Sequence, residues 1–253
     1  GVVCDGEGEI VGLDLSGNNL RDTLPTEIGL LTQMNESLDL SSNSLTWTLP
    51  SELGLLTKLS DSLDVSSNSL DGAIPSQLGA LQRLQTNFLL SDNYFSEELP
   101  TELGSLRRLS GILSVASNLL GPNEAMNITG SIPTELGALG AKDDSDVVLN
   151  MLFLSSNLLT GQVPTQLGRI TSGTLRLFDN DGLCGDVPTE IGTYQDGDCQ
   201  RSGTGDGGDD DFLCASSSST ISAYFTGTSI GTGTATWPPS ASILSARTLG
   251  AAE

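Results

Sequence analysis

Residues 62–79 read SLDVSSNSLDGAIPSQLG, and nearly the same phrase returns along most of the chain. Its fixed points are a Leu-x-Leu/Val pair, an Asn three residues later, then a Pro and a Gly. The Asn stands at 18, 43, 68, 93, 118, 157 and 180. The first five are evenly spaced, the next gap is longer by more than half, and the last is slightly shorter. Within each copy, Leu13/Leu15, Leu38/Leu40, Leu63/Val65, Phe88/Leu90, Leu113/Val115, Leu152/Leu154 and Leu175/Leu177 alternate apolar with other residues. That alternation predicts a short strand with one buried face. A unit this thin cannot hide its own leucines, so the copies must stack and share a core.

The other columns fit the same stack. An inward-turned Asn amide can bond the backbone of neighbouring turns, where the chain bends away from the strand. Pro25, Pro50, Pro75, Pro100, Pro133, Pro164 and Pro188 lack an amide donor and are expected on the side opposite the strands. Each has a Gly four residues on (29, 54, 79, 104, 137, 168, 192), read as the stop of a single helical turn.

The consensus S-x-N-x-L-x-G-x-[IL]-P-x-[EQ]-[LI]-G resembles the plant-specific subclass of leucine-rich repeats, the subclass of receptor-like kinase ectodomains and polygalacturonase-inhibiting proteins. Residues 1–192 carry the likeness, with a period one residue longer than is usual there. Gly1-Val2-Val3-Cys4-Asp5 and Leu13-Asp14-Leu15 resemble the second half of that subclass's N-terminal cap. The resemblance implies a right-handed leucine-rich-repeat solenoid of α/β repeat class. Its parallel β ribbon lies on the concave face, and its convex side is mostly irregular or short helical.

The expected divisions are a partial cap at 1–12 and about seven repeats at 13–192. A C-terminal cap with an acidic linker follows at 193–214, then a Ser/Thr-rich disordered tail at 215–253. Without the upstream half of the cap, Cys4 is expected to be a free, exposed thiol beside a frayed first repeat. Two insertions, after Leu120 and at 141–146, account for the long gap between Asn118 and Asn157. Both are expected to loop out without breaking the stack. Asn-x-Gly-Leu-Cys-Gly at 180–185 resembles the exit of the last plant-type repeat, which implies a Cys184–Cys199 staple. Such a loop, of about 15 residues, is worth about 3 kcal/mol in the chain-entropy picture. Four cysteines allow three full pairings, and Cys214 is an alternative partner for Cys199.

Charge and composition exclude several functions. Acidic residues number 32 against 10 Lys and Arg, a net charge of −22 that repels nucleic acid and anionic lipid. Histidine is absent, which removes His-based nucleophile pairs and His-ligated metals. Asp179, Asn180, Asp181 and Glu190 resemble a calcium loop in part, but Leu183 and Cys184 occupy positions that such a loop gives to a ligand and to Gly. Carboxylates recur as repeat positions and not as one singular pair in a cleft. The chain is therefore read as no enzyme, and no cofactor or metal is implied.

The resemblance implies recognition. The residues between the paired apolar positions point out on the ribbon: Asp14, Asp39, Asp64, Leu89, Ser114, Phe153 and Arg176. The three aspartates would stack as an acidic stripe. Leu89 and Phe153, with Met151 and Phe178 alongside, are unusual on an open strand face and predict a contact patch. The expected ligand is a protein or peptide, a basic one included, or a polysaccharide. Sequons at Asn35 and Asn127, the cap-like cysteines and the mucin-like tail point to a secretory route and an extracellular or cell-surface site. A leader and any membrane anchor would lie outside this sequence. The role that the resemblance implies first is the ligand-reading part of a surface receptor or adhesion protein. The alternatives are a secreted inhibitor of a cell-wall hydrolase, or a structural wall or matrix protein.

Overall fold

The computed structural model describes residues 1–118, 127–140, 149–170, 174–185 and Pro188. The paired apolar positions form one eight-stranded sheet. In spatial order its strands are Val2–Cys4, Ile10–Asp14, Leu38–Asp39, Ser62–Asp64, Asn87–Leu89, Ile112–Ser114, Met151–Phe153 and Thr174–Arg176. All neighbours are parallel except the first pair, a hairpin in which Val2 faces Leu13. The first repeat is thus covered by an ordered strand where fraying is expected from the sequence. Cys4 is exposed and free, as anticipated, and Val2 and Val3 are exposed on the covering strand.

Register is set by the leucines. Leu13 pairs with Leu38, Leu38 with Leu63, Leu63 with Phe88, Phe88 with Leu113, Leu113 with Leu152 and Leu152 with Leu175. A slip by one residue would turn every one of these side chains to solvent. Leu40, Val65, Leu90, Val115 and Leu154 line up beside them, all 1% exposed or less. Ile112 pairs directly with Met151, so the lengthened repeat leaves the ladder unbroken, as predicted.

The Asn column does what its place in the repeat requires. Asn68 accepts the Leu45 amide at 3.0 Å and donates to Leu40 and Val65 carbonyls at 3.0 and 3.1 Å. Asn93 repeats this with Leu70, Val65 and Leu90, and Asn180 with Leu159, Leu154 and Leu177. Each amide therefore ties its own turn to the preceding one through backbone groups that no strand ladder satisfies.

Each described Pro of the column with a helix behind it opens a one-turn 3₁₀ segment, such as Ser51–Leu55 or Ser76–Ala80, its carbonyl accepting the amide three residues on. The Gly column has a different cause from the one expected. These glycines lie inside the 3₁₀ turns without positive φ. A Cβ on Gly54, Gly79, Gly104 or Gly137 would stand 2.3–2.4 Å from a backbone carbonyl oxygen of the next repeat. They are glycine because adjacent turns touch there.

The flank between ribbon and helices differs more. Where an irregular path is expected, it carries a second parallel sheet of Arg21–Asp22, Ser44–Thr48, Ser69–Ala73, Tyr94–Glu98 and Ile128–Thr129. Thr160–Gln162 pairs with Gly182–Cys184 beyond it. The core lies between the two sheets and the 3₁₀ turns. Cys199, Cys214, Glu190 and Gly192, most of the two insertions, and the regions 193–214 and 215–253 lie outside the described residues.

Candidate functional site

Three outward rows run along the ribbon, fixed by the strand register. The first is Gly12, Ser37, Ser62, Asn87, Ile112, Met151 and Thr174; the second is Asp14, Asp39, Asp64, Leu89, Ser114, Phe153 and Arg176. The third follows the next buried position: Ser16, Ser41, Ser66, Ser91, Ala116, Ser155 and Phe178. All nine residues expected on this face are therefore brought onto one surface, in chain order. They split into two halves of different character.

In the first half the aspartates brace the backbone. Asp14 accepts the Ser16 amide at 3.0 Å and its hydroxyl at 2.7 Å; Asp64 accepts those of Ser66 at 2.9 and 2.6 Å. Asp39 accepts the Ser41 amide at 2.9 Å. A carboxylate reaching two residues ahead is an Asx turn, which ends the strand and starts the bend. The bonds from the Ser16 hydroxyl and then its amide hold the Asp14 carboxyl below its usual range. Among the described residues, no three acidic or thiol groups gather closely enough to hold a metal ion. The acidic stripe thus has a structural explanation in each repeat where it occurs.

In the second half that brace is gone. Leu89, Phe153, Arg176 and Phe178 are half-buried, and Met151 is 36% exposed. Ser114, between Leu89 and Phe153 in the same row, is only 5% exposed and is flanked by these two apolar side chains. Arg176 lies over the Phe153 ring, 4.4 Å from its centroid, a cation–π contact that fixes the ring's outer edge. Ile112 completes the patch between Asn87 and Met151. The sequence reading named Met151 from this row but not Ile112, its register partner. The residue before the first Leu faces the same way, and an Ile where Ser37 and Ser62 stand elsewhere was the available signal.

The remaining expected sites fare differently. Asn35 is exposed and open to modification. Asn127 is 6% exposed, directly ahead of the strand Ile128–Thr129. Cys184 is half-buried on the strand Gly182–Cys184, and its expected partner Cys199 lies outside the described residues.

Comparison with known proteins agrees with this architecture. The Leucine Rich Repeat family profile matches residues 10–31 and 36–56. The structure of PEPR1–AtPEP1 superposes with a TM-score of 0.61 at 31% identity, over 76% of this chain and 24% of that one. The plant peptide hormone receptor RGFR1, in complex with RGF2, gives 0.59 at 28% identity over 76% and 34%. A plant ice-binding protein gives 0.61 at 28% identity over 75% and 56%. The chain thus spans between a quarter and just over half the length of these proteins. No curated protein matches it by sequence. Repeat spacing, leucine register, Asn ladder and structural likeness agree: the chain is a leucine-rich repeat protein of the plant type.

Proposed function

We propose that the ribbon between Asn87 and Phe178 reads a protein or peptide ligand, as the recognition part of a cell-surface receptor or adhesion protein. One observation carries this reading. Where the outward row changes from serine-braced aspartates to Leu89, Ser114, Phe153 and Arg176, apolar groups are left half-exposed on an open sheet. Fold alone does not choose a function, since one similar structure is a peptide hormone receptor and another an ice-binding protein. The patch favours a ligand with an apolar anchor against Leu89 and Phe153. Charged side chains would dominate if the acidic half were the contact, but its carboxylates already serve the backbone.

The mechanism is rigid presentation. Register, Asn ladder and close glycine contacts fix each row, so binding costs little ordering of the receptor surface. A pull-down with the wild-type chain and with a Met151→Ala/Phe153→Ala double variant tests the reading. A ligand kept by the wild type and lost by the variant supports it. A ligand held equally by both places binding elsewhere.

A further inference from the structure

Three residues before the proline of each repeat, the flank carries Asp22, Trp47, Gly72, Glu97, Gly130, Gly161 and Gly185. All seven have a left-handed backbone, with φ from 66° to 85°. Glycine takes that conformation freely, and a residue with a Cβ is strained in it. Four repeats use glycine. The other three hold an indole and, one repeat before it and two repeats after it, a carboxylate. All three side chains are exposed, Trp47 with 63% of its surface.

Packing and hydrogen bonding do not account for this set. Among the described residues Asp22 and Glu97 make no ion pair and no side-chain hydrogen bond, whereas the ribbon aspartates brace their own turns. The glycines show which way a side chain leaves this position. A Cβ on Gly72 would stand 2.9 Å from the Thr48 methyl, and one on Gly130 2.7 Å from the Glu98 side chain, each in the preceding repeat. Trp47 therefore leans towards Asp22 and Thr23, and Glu97 towards Gly72 and Ala73. Gly72 has no side chain of its own, so the surface between Trp47 and Glu97 is left clear. Successive strands are about 4.8 Å apart, which puts all three within reach of one short segment.

The charge of the face selects the occupant. The five strands of this sheet carry Asp22, Asp71, Glu97 and Glu98 against Arg21 alone, and Arg21 forms no ion pair with Asp22. An anion is repelled here. A neutral sugar stacks on an indole but brings no charge to the idle carboxylates. A cation satisfies both features, since the ring face attracts it through its quadrupole and the carboxylates attract it by charge.

We propose that this flank face binds a lysine- or arginine-bearing segment of a partner protein, with one cationic side chain over the Trp47 indole and its neighbours in reach of Asp22 and Glu97. The strained backbone at these three positions is then retained for the partner and not for the fold. The core lies between the flank sheet and the ribbon, so the site is separate from the Leu89–Phe153 patch and does not rest on its reading.

Trp47 is one of two tryptophans, so the full chain carrying Trp237→Phe has it as the sole indole reporter. Titration with tetra-arginine in 0.15 M salt is expected to shift its emission saturably; the uncharged tetra-citrulline and cellotetraose are expected not to. Calorimetric titration then compares variants. Trp47→Gly, which relieves strain and so keeps the fold, is expected to weaken tetra-arginine binding about three- to five-fold. Asp22→Asn/Glu97→Gln is expected to weaken it as well. Glu7→Gln/Glu9→Gln removes the same charge from exposed cap residues and is expected to bind like the wild type. Undiminished binding by Trp47→Gly, equal losses in the two charge-matched variants, citrulline or cellotetraose binding as tight as arginine, or no wild-type binding would each overturn the inference.

Discussion

Asn93 is 2% exposed and ties its own turn to the preceding one. Cutting it to Ala leaves the buried Leu70 amide without its side-chain partner and the Val65 carbonyl with Asn68 alone. A buried group orphaned in this way costs about 1–3 kcal/mol, so Asn93→Ala is expected to destabilise by about that much in urea unfolding. A loss under about 0.5 kcal/mol would mean that water replaces the amide without cost. Trp47 presents the opposite case. It stands in the column of Gly72, Gly130, Gly161 and Gly185, with φ 66° and 63% of its surface exposed. A left-handed backbone at a bulky residue is strained by about 1–2 kcal/mol. Trp47→Gly should therefore stabilise the chain by about 1 kcal/mol after the cost in glycine entropy, read as a higher midpoint in the same unfolding assay. The Asn was legible in the sequence as a column. Trp47 was not, because a single aromatic in a turn has no period of its own.

At the scale of the element, the Gly of each 3₁₀ turn is recognisable by its spacing, but the spacing suggests the wrong cause. A helix stop needs positive φ, which is a property of one turn; contact with the next repeat is a property of the pair, and a sequence read turn by turn does not contain it. The distinction has a measurable consequence. Gly79→Ala brings a Cβ to 2.4 Å from the Glu102 carbonyl oxygen, and the two turns must separate. Overpacking of this kind costs about 1–3 kcal/mol. The Asn93 side chain bridges the same two repeats to Leu70, so amide exchange should accelerate at Leu70 as well as at the mutated turn. Exchange confined to residues 76–80 would show that the contact is soft. The flank sheet went unread for a related reason. Ser69–Ala73 contains a Gly and only one buried side chain, Leu70, so alternation is too short to separate from a turn. Its strands exist because the ribbon, already in register, brings them alongside one another.

For the whole molecule, the ribbon and its order were open to reading because one phrase repeats seven times. The candidate patch was legible only as a break in that phrase, at Leu89 and Phe153, and the burial of Ser114 between them depends on strands that the lengthened repeat holds far apart in the chain. Charge acts on the same scale. With 32 acidic and 10 basic residues, self-repulsion opposes the compact state at pH 7 and is relieved as carboxylates take up protons. Two carboxylates act in the other direction. Asp61 is held below 3.8 by the Thr86 and then the Ser37 hydroxyl, and Asp14 by Ser16. A carboxylate whose folded value is depressed adds stability that is present above its unfolded value and lost as pH falls through the folded one. At low salt the melting temperature should thus rise from pH 7 towards pH 5, then fall below about pH 3.8 as Asp14 and Asp61 are protonated and their bonds weaken. In 0.5 M salt, where the Debye length is about 4 Å, the first change should flatten while the second persists. Ser37→Ala with Thr86→Ala should shrink the acid-side fall, since Asp61 then titrates near its unfolded value. A melting temperature that climbs without a break to pH 3, or a fall unchanged in that double variant, would show that these hydroxyl–carboxylate bonds do not tie one repeat to the next.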